Sequence, residues 1–352
     1  MNPWAAWLRD NGPARFQLST KQEWNAFAHS APRANLELLT PTEAARLTAT
    51  EREDYDEARM VWNANLPTVR TTQVATAFSV IDQVMASNRR DADRLRGSVV
   101  IDAAPGLGKT TIATRYASDL HRRVHRRYGP LTEEGHQRLP VAFISLSGGV
   151  TLKGLNQAIL RFYAHPAAQR TTSSQLGTVA VDCVNSCHTQ LVVIDDLHFV
   201  DFRHRNGMDV SNHLKGLANE MAATFMFVGV QLREKRLFDE GRHGRDAAYA
   251  QISRRATRCE VAPFHISSDA GFRAWVDLIT ALEGHLKLRH GEPGMLTQHV
   301  RLLFTPLKAI SPRSPISSTE TCYLAISTGI ETITGDLLQT ASIDNAAHTG
   351  SL

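Results

Sequence analysis

Residues 98–111 read SVVIDAAPGLGKTT, in which an apolar run leads into a loop of small residues and then a lysine and two threonines. The run Ser98–Asp102 predicts a short strand, and a helix is expected to begin near Lys109. Residues Ala103–Thr110 fit the P-loop pattern G-x-x-x-x-G-K-[ST], with Ala103 in place of the first glycine. Small residues let backbone N–H groups surround a phosphate, and the helix N-terminus adds its positive dipole end. The alternative is a chance match in an ordinary strand–turn–helix.

The loop and the first residues of the helix are therefore predicted to bind the phosphates of ATP. The predicted phosphate-binding residues are Ala103, Ala104, Pro105, Gly106, Leu107, Gly108, Lys109, Thr110 and Thr111. Lys109 is expected to reach the β- and γ-phosphates, and the Thr110 hydroxyl is expected to ligate Mg²⁺. Thr111 is a weaker candidate, on the side of the α-phosphate.

A second stretch, LVVIDD at 191–196, consists of four aliphatic residues followed by two carboxylates. Asp195, at the end of a predicted strand, suits the Walker B role of holding Mg²⁺ through water. Asp196 stands where many such ATPases have a glutamate that polarises the attacking water. Because aspartate is one methylene shorter, the sequence predicts slow hydrolysis. The alternative is a buried strand with a solvated acidic end.

Three polar residues further along the chain are candidates for catalysis. Gln231 follows the strand-like run 224–230, where it could contact the γ-phosphate or the water. Arg254 and Arg255 precede the strand-like run Cys259–Ala262, and an arginine there could stabilise transferring charge in a neighbouring ATP site. A loop glutamine and solvated or DNA-facing arginines are the alternatives.

The alternation of elements predicts an α/β fold with a parallel central sheet. Strand-like runs at 98–102, 141–146, 191–195 and 224–230 alternate with helix-like segments at 109–127, 151–163 and 211–222. Further helices are predicted at 41–64, 70–88, 268–290 and 324–341. The predicted domains are a partly irregular arm with short helices (1–45), a helical extension (46–95), a nucleotide-binding domain (96–265), and a small helical lid with a flexible C-terminus (266–352).

The composition of the chain limits its possible functions less sharply than the motifs do. The chain has 352 residues and a net charge of +4, which is too mildly basic to indicate nucleic-acid binding by itself. The cysteines fit no zinc pattern and are expected to be buried or bystander thiols in a reducing compartment. Their positions are Cys183, Cys187, Cys259 and Cys322. The N-terminus MNPWAAWLRD does not read as a signal peptide, and no apolar run is long enough to span a membrane, so a cytoplasmic location is expected.

The order of these parts resembles AAA+ ATPases and, more narrowly, the TniB/TnsC-type ATPases of bacterial transposons. The resemblance covers about residues 45–345. The segments that carry it are YDEARMVWNANLPTVRT (55–71), AAPGLGKTT (103–111), VAFISLSGGVTLKGLNQAIL (141–160), VVIDDLHFV (192–200), FVGVQLREKRLF (227–238), QISRR (251–255) with VAPF (261–264), and AISTGIETITGDLLQTASID (325–344). The P-loop and the Asp-Asp strand specify only the superfamily. The features that narrow the resemblance to the transposon ATPases are the 55–71 segment, Leu197-His198 after the carboxylates, and the tail pattern G-x-E-x-I-T-x-x-L-L at 329–338.

The resemblance implies a protein that assembles on target DNA as an ATP-bound homo-oligomer, joined through its ATP sites. Its implied partners are a DDE-type transposase and a target-selection adaptor. Such assembly would use mostly contacts to the DNA backbone. The candidate donors are Lys153, Arg233, Lys235 and Arg236. A second basic cluster is either a further contact or a solvated helix face, and it consists of Arg122, Arg123, Arg126 and Arg127.

Two departures from the family pattern keep other functions open. Asp196 replaces the more usual glutamate, and residues 303–323 read LFTPLKAISPRSPISSTETCY where the family has a Gly-Gly turn and a basic helix. Pro306, Pro312 and Pro315 would break such a helix, so a frameshifted or degraded copy is one hypothesis. The alternative functions are a signalling ATPase of defence or transcription, a metabolic kinase, and a nucleotide-binding copy with little hydrolysis.

Overall fold

A computed structural model of the protein describes residues 2–89, 96–170, 173–200, 205–232, 256–304 and 319–341. Within them lies one five-stranded sheet, in the order β2-β3-β4-β1-β5, and all neighbouring strands are parallel. The strands are β1 (Ser98–Asp102), β2 (Val141–Ser145), β3 (Leu191–Asp195), β4 (Thr224–Gly229) and β5 (Ala256–Glu260). This confirms the predicted parallel sheet. The fifth strand begins and ends earlier than the strand-like run Cys259–Ala262.

Helices occupy most of the remaining described chain. They are α1 (Pro3–Asn11), α2 (Lys21–His29), α3 (Pro41–Ala45), α4 (Ala49–Ala64), α5 (Thr72–Ser87), α6 (Lys109–Tyr128), α7 (Leu152–Phe162), α8 (Ala167–Arg170), α9 (Ser173–Ser186), α10 (Arg205–Glu220), α11 (Asp269–Glu283), α12 (Val300–Leu303) and α13 (Thr319–Ser327). Residues Leu197–Phe199 and Thr297–His299 form short 3₁₀ turns, and 335–341 are helical. Among these described helices, none combines the length and apolarity that crossing a membrane requires.

The chain divides into two compact units, each made of separate segments. The sheet unit contains the described residues of 16–30 and 73–262, and the helical unit contains those of 1–15, 31–72 and 263–352. The domain boundaries predicted from the sequence remain a prediction. All four cysteines are free thiols, and Cys259 and Cys322 are buried.

The core of the sheet unit forms around the strands, whose aliphatic side chains are buried on both faces. The segment before residue 30 joins this core through α2. The indole of Trp24 is fully buried, stacks on the Phe143 ring with centroids 5.5 Å apart, and donates a hydrogen bond to His121 Nδ1 at 3.1 Å. The N-terminal part of the chain therefore contributes a helix to the sheet unit, and no periodicity in residues 1–45 indicated this.

The helical unit has its own apolar core, in which Trp275 and Ile279 of α11 are buried and Met60 of α4 packs against the cluster. The single helix predicted over 41–64 is wrong, because α3 ends at Ala45 and α4 begins at Ala49. Two successive capping boxes explain the break. Thr40 caps α3 with Glu43, and Thr48 caps α4 with Glu51, so the second box starts a new helix.

Two further helix predictions were too long. The helix predicted over 268–290 ends at Glu283, and the buried residues Leu286 and Leu288 follow in irregular chain. The helix predicted over 324–341 is interrupted after Ser327, where Gly329 (φ 73°) and Glu331 (φ 61°) adopt left-handed conformations. Glu331 is thereby turned into the interior of the helical unit, where it accepts hydrogen bonds from the guanidinium groups of Arg59 and Arg289.

Candidate nucleotide-binding site

The predicted phosphate loop connects the carboxyl end of β1 to the first turn of α6. Gly106 (φ 79°) and Gly108 (φ 77°) lie in the left-handed region, which favours glycine and which the loop needs to turn. Gly108 is the N-cap residue of α6, so no cap side chain competes for the first N–H groups of the helix. The first turn, which begins with Lys109, contains no carboxylate. The geometry is therefore that of an anion site at a helix N-terminus.

The Lys109 side chain folds back over this loop. Its ammonium group is buried, with 9% of the residue exposed, and Nζ donates a hydrogen bond to the Ala104 carbonyl oxygen at 2.7 Å. Burial lowers the pKa of Lys109, although the carboxylates of Asp195, Asp102 and Asp196 act in the opposite direction. The Lys109 ammonium group thus donates to a loop carbonyl oxygen. Phosphate oxygens bound in this loop would be stronger acceptors for the same ammonium group.

Asp195 ends β3 and is almost completely buried, with 3% of the residue exposed. Its Oδ1 accepts the Asp196 backbone N–H at 2.8 Å, and its carboxylate also forms a hydrogen bond with the Thr110 side chain. Burial raises the pKa of Asp195, and these two hydrogen bonds and the charge of Lys109 counteract the increase only in part. A hydroxyl and a carboxylate in contact form a donor set that fits a hard divalent cation, whose charge would offset the cost of burying the carboxylate.

Asp196 directly follows β3 and has a left-handed backbone (φ 59°). Its side chain is 40% exposed, and its Oδ2 accepts a hydrogen bond from Ser145 Oγ at 3.1 Å. The sequence reading did not single out Ser145. The signal was available, because Ser145 ends β2 and pairs in register with Asp195, so parallel strand ends bring it to the second carboxylate.

Gln231 lies two residues beyond β4, with a left-handed φ of 53°, and is exposed. Since β4 lies between β1 and β3, the carboxyl end of β4 lies between the strand ends that carry the phosphate loop and Asp195. The structure therefore places Gln231 on the chain that leaves this edge of the sheet. Arg254 and Arg255 lie outside the described residues.

The candidate DNA contacts are described only in part. Lys153 is exposed in the first turn of α7, in the segment that follows the carboxyl end of β2. Arg122 on α6 donates a hydrogen bond to the Ala28 carbonyl oxygen at 3.1 Å and pairs with Asp119 at 2.5 Å, so this member of the second cluster holds α2 against α6. Arg126 and Arg127 are exposed at the end of α6. Three other candidates lie outside the described residues, namely Arg233, Lys235 and Arg236, as do residues 305–318 of the atypical segment.

Comparisons with known proteins identify the fold. Residues 92–237 match the family model described as AAA domain. No curated protein sequence matches the chain. Similar solved structures include the Orc1 protein of Aeropyrum pernix in complex with DNA, with a TM-score of 0.56 and 11% identity over 80% of this chain and 68% of that chain. Cdc6p of Pyrobaculum aerophilum has a TM-score of 0.51 and 13% identity over 80% of this chain and 70% of that chain.

The sheet, the phosphate loop and these matches agree with one another. The family model covers β1 to β4 and the P-loop. At identities of 11% and 13% the two structures show the fold alone. The fold class predicted from the sequence is confirmed, and this fold implies ATP binding with a divalent cation. The protein therefore has the AAA+ P-loop NTPase fold, with an AAA domain matched over residues 92–237.

Proposed function

We propose that the protein is an ATP-binding switch that assembles on DNA as a homo-oligomer and regulates transposition by a partner DDE-type transposase. The grouping of Lys109, Thr110, Asp195 and Asp196 at one edge of the sheet supports the nucleotide part. The DNA part is supported by the resemblance to transposon ATPases and by the likeness of the fold to an Orc1 protein solved in complex with DNA. The transposase and the target-selection adaptor are proposed from the resemblance alone.

Each residue of the site has a role in this proposal. Lys109 and the backbone N–H groups of the loop hold the phosphates, while the Thr110 hydroxyl and Asp195 hold Mg²⁺. The bound Mg²⁺ would supply positive charge that offsets the charge on the phosphate oxygens. Asp196, oriented by Ser145, accepts a hydrogen bond from the attacking water.

Residues from the rest of the oligomer complete the proposed site. Arg254 and Arg255 act on the ATP site of a neighbouring copy, where their charge stabilises the transferring phosphoryl group. Within the same copy as the phosphate loop, Gln231 contacts the γ-phosphate or the attacking water. The proposed oligomer is therefore joined through its ATP sites, so that ATP binding and assembly depend on each other.

DNA binding in defined nucleotide states tests this function. We expect tight binding, measured by fluorescence anisotropy at fixed salt, with ATP or a slowly hydrolysed analogue, and weak binding with ADP or no nucleotide. Lys109→Ala should lose the triphosphate-dependent binding. Lys153→Ala should weaken DNA binding while leaving ATP affinity unchanged, which separates DNA contact from nucleotide binding. Equal binding in every nucleotide state, or none, would contradict the proposal. Assembly with ATP but without DNA would favour a signalling ATPase.

The second carboxylate leads to a prediction about turnover. Asp196→Glu is expected to increase ATP hydrolysis several-fold, because the longer side chain places the carboxylate nearer the water. Asp196→Asn is expected to decrease it by about 100-fold, the usual contribution of a positioned base. Phosphate release at saturating ATP measures both effects, and the exposed Asp277→Glu serves as the matched control.

Two results would count against this role of Asp196. One is hydrolysis by the wild-type protein at a rate typical of the glutamate enzymes, with no gain in Asp196→Glu. The other is unchanged hydrolysis in Asp196→Asn. The expected result is slow hydrolysis by the wild-type protein and a clear gain in Asp196→Glu. It would favour a protein that acts mainly through nucleotide binding.

A further inference from the structure

Three histidines meet where α2 packs against α6 in the sheet unit, away from the P-loop end of α6. His29 is the last residue of α2, and His121 and His125 lie one turn apart on α6. One ring nitrogen of each lies within 4.8 Å of a ring nitrogen of the other two. His121 is buried, His125 half-buried and His29 exposed, so the group opens to solvent on the His29 side. The nucleotide site uses none of these residues.

The hydrogen bonds of two of these rings fix which nitrogen carries the proton. His29 Nδ1 lies 3.0 Å from the Asn25 carbonyl oxygen, and His125 Nε2 lies 2.9 Å from the Arg138 carbonyl oxygen. A carbonyl oxygen only accepts, so both of these nitrogens carry hydrogen. In the neutral rings, the free lone pairs are therefore on His29 Nε2 and His125 Nδ1.

These two lone-pair nitrogens face each other at 3.3 Å. Two lone pairs at that distance repel each other unless a proton or a cation lies between them. Zinc–nitrogen bonds of about 2.0–2.1 Å at a tetrahedral centre place two ligand nitrogens about 3.3 Å apart. Carbonyl acceptors on the outer ring nitrogens are also the arrangement that orients histidine ligands around metals.

Neutral imidazole is the form that binds metal ions, and a proton shared by the two facing nitrogens is the alternative to a bound cation.

His121 lies beside the facing pair and has a different role. Its Nδ1 accepts the Trp24 indole N–H at 3.1 Å, so its hydrogen is on Nε2, which points to Asn25 Oδ1 at 3.3 Å. Both ring nitrogens therefore have partners within the protein. His121 connects the pair to Trp24, whose indole is a spectroscopic reporter on the site.

We propose that His29 Nε2 and His125 Nδ1 bind one divalent transition-metal ion of the zinc class, with water completing its coordination. The two ligands are 96 residues apart in the chain. The ion would join the end of α2 to α6, the helix that begins at the phosphate loop. It would thereby hold residues 16–30 on the sheet unit, independently of nucleotide and DNA.

Metal titration of the untagged, metal-free full chain tests the proposal. We expect Co²⁺ to give the absorption of a tetrahedral site with one ion per chain at pH 7.5, and Zn²⁺ to displace it. His29→Gln, a change at an exposed position, should weaken binding by at least about tenfold, and so should His125→Gln. His188→Gln is the matched control. It removes the histidine from a second exposed group that offers metal-binding atoms, whose other members are Glu133 and Glu134.

A structural readout accompanies the titration. Zn²⁺ should slow amide hydrogen exchange in residues 21–29 of the wild-type protein and of His188→Gln, but not in His29→Gln. Circular dichroism of each variant checks that the helical content of the chain is unchanged. Binding that His29→Gln leaves unchanged, loss of binding in His188→Gln only, or no binding at millimolar metal would each overturn the proposal. In the last case, a proton shared by His29 and His125 would explain their separation.

Discussion

Lys109→Ala is expected to weaken ATP binding by about 10- to 100-fold. A hydrogen bond to a charged group contributes about 1.5–3 kcal/mol, and the ammonium group of Lys109 is placed over the loop that would hold the phosphates. The loss should appear in calorimetric or fluorescent-nucleotide titrations at fixed Mg²⁺ and salt. Lys153→Ala is the matched control, since Lys153 also lies in the first turn of a helix that follows a strand but belongs to no phosphate loop.

The same substitution should leave the fold intact, which makes the result interpretable. Burial lowers the pKa of Lys109, so the folded protein stabilises this charge less well than water does. Loss of the Lys109 ammonium group removes one positive charge near Asp195, but the Asp196 N–H and the Thr110 side chain still form hydrogen bonds with the Asp195 carboxylate. Thermal unfolding without nucleotide should therefore change little. An ATP affinity equal to wild type in a folded Lys109→Ala protein would contradict the assigned phosphate site.

The central sheet was predictable because strands buried on both faces leave a simple sequence signal. The runs SVVID, VAFISL, LVVID and TFMFVGV are nearly continuous apolar stretches, and their positions agree with β1 to β4 except that β2 and β4 each end one residue earlier. The order of the strands was not predictable from these runs, since each would fit any interior position of the sheet. The order decides which strand ends meet, and it explains why Ser145 reaches Asp196 although no motif contains it.

Contacts between distant segments account for what the sequence did not reveal. Trp24 and His121 are 97 residues apart, and nothing in the pattern around either residue indicates the other. The interruption of the helix predicted over 324–341 also depends on distant residues. The left-handed backbone of Glu331 is stabilised by Arg59 from α4 and by Arg289 from the chain after α11. Local periodicity therefore predicted a continuous helix where a buried ion pair imposes a turn.

Glu331→Gln is expected to destabilise the helical unit by about 3–5 kcal/mol, because it removes one partner of a buried ion pair. The Glu331 side chain is 1% exposed and accepts from Arg59 at 2.5 and 3.0 Å and from Arg289 Nε at 2.9 Å. The Arg59 side chain is 0% exposed, so after the change its charge would stay buried beside a neutral amide, with the partly exposed Asp56 as its remaining acidic partner. Glu292→Gln removes an exposed carboxylate from the same unit and is the control.

The pH dependence of stability gives the same interaction a second test. Burial raises the pKa of Glu331, but hydrogen bonds from Arg59 and Arg289 and their charges outweigh it, so the pKa lies below the usual value. A lowered folded-state pKa contributes stability that is present above the unfolded pKa of about 4.3 and is lost as the pH falls through the folded value. Glu331→Gln should therefore flatten the acid-side loss of stability.

Local hydrogen exchange is the suitable measurement, because two compact units need not unfold in one step. Amides in α11 and α13 should exchange much faster in Glu331→Gln than in the wild-type protein or Glu292→Gln, while those of β1 and β3 should keep their protection. Equal protection in the two glutamine variants would show that the ion pair does not hold the helical unit together. Glu331 would then adopt its left-handed backbone for a reason other than the two arginines.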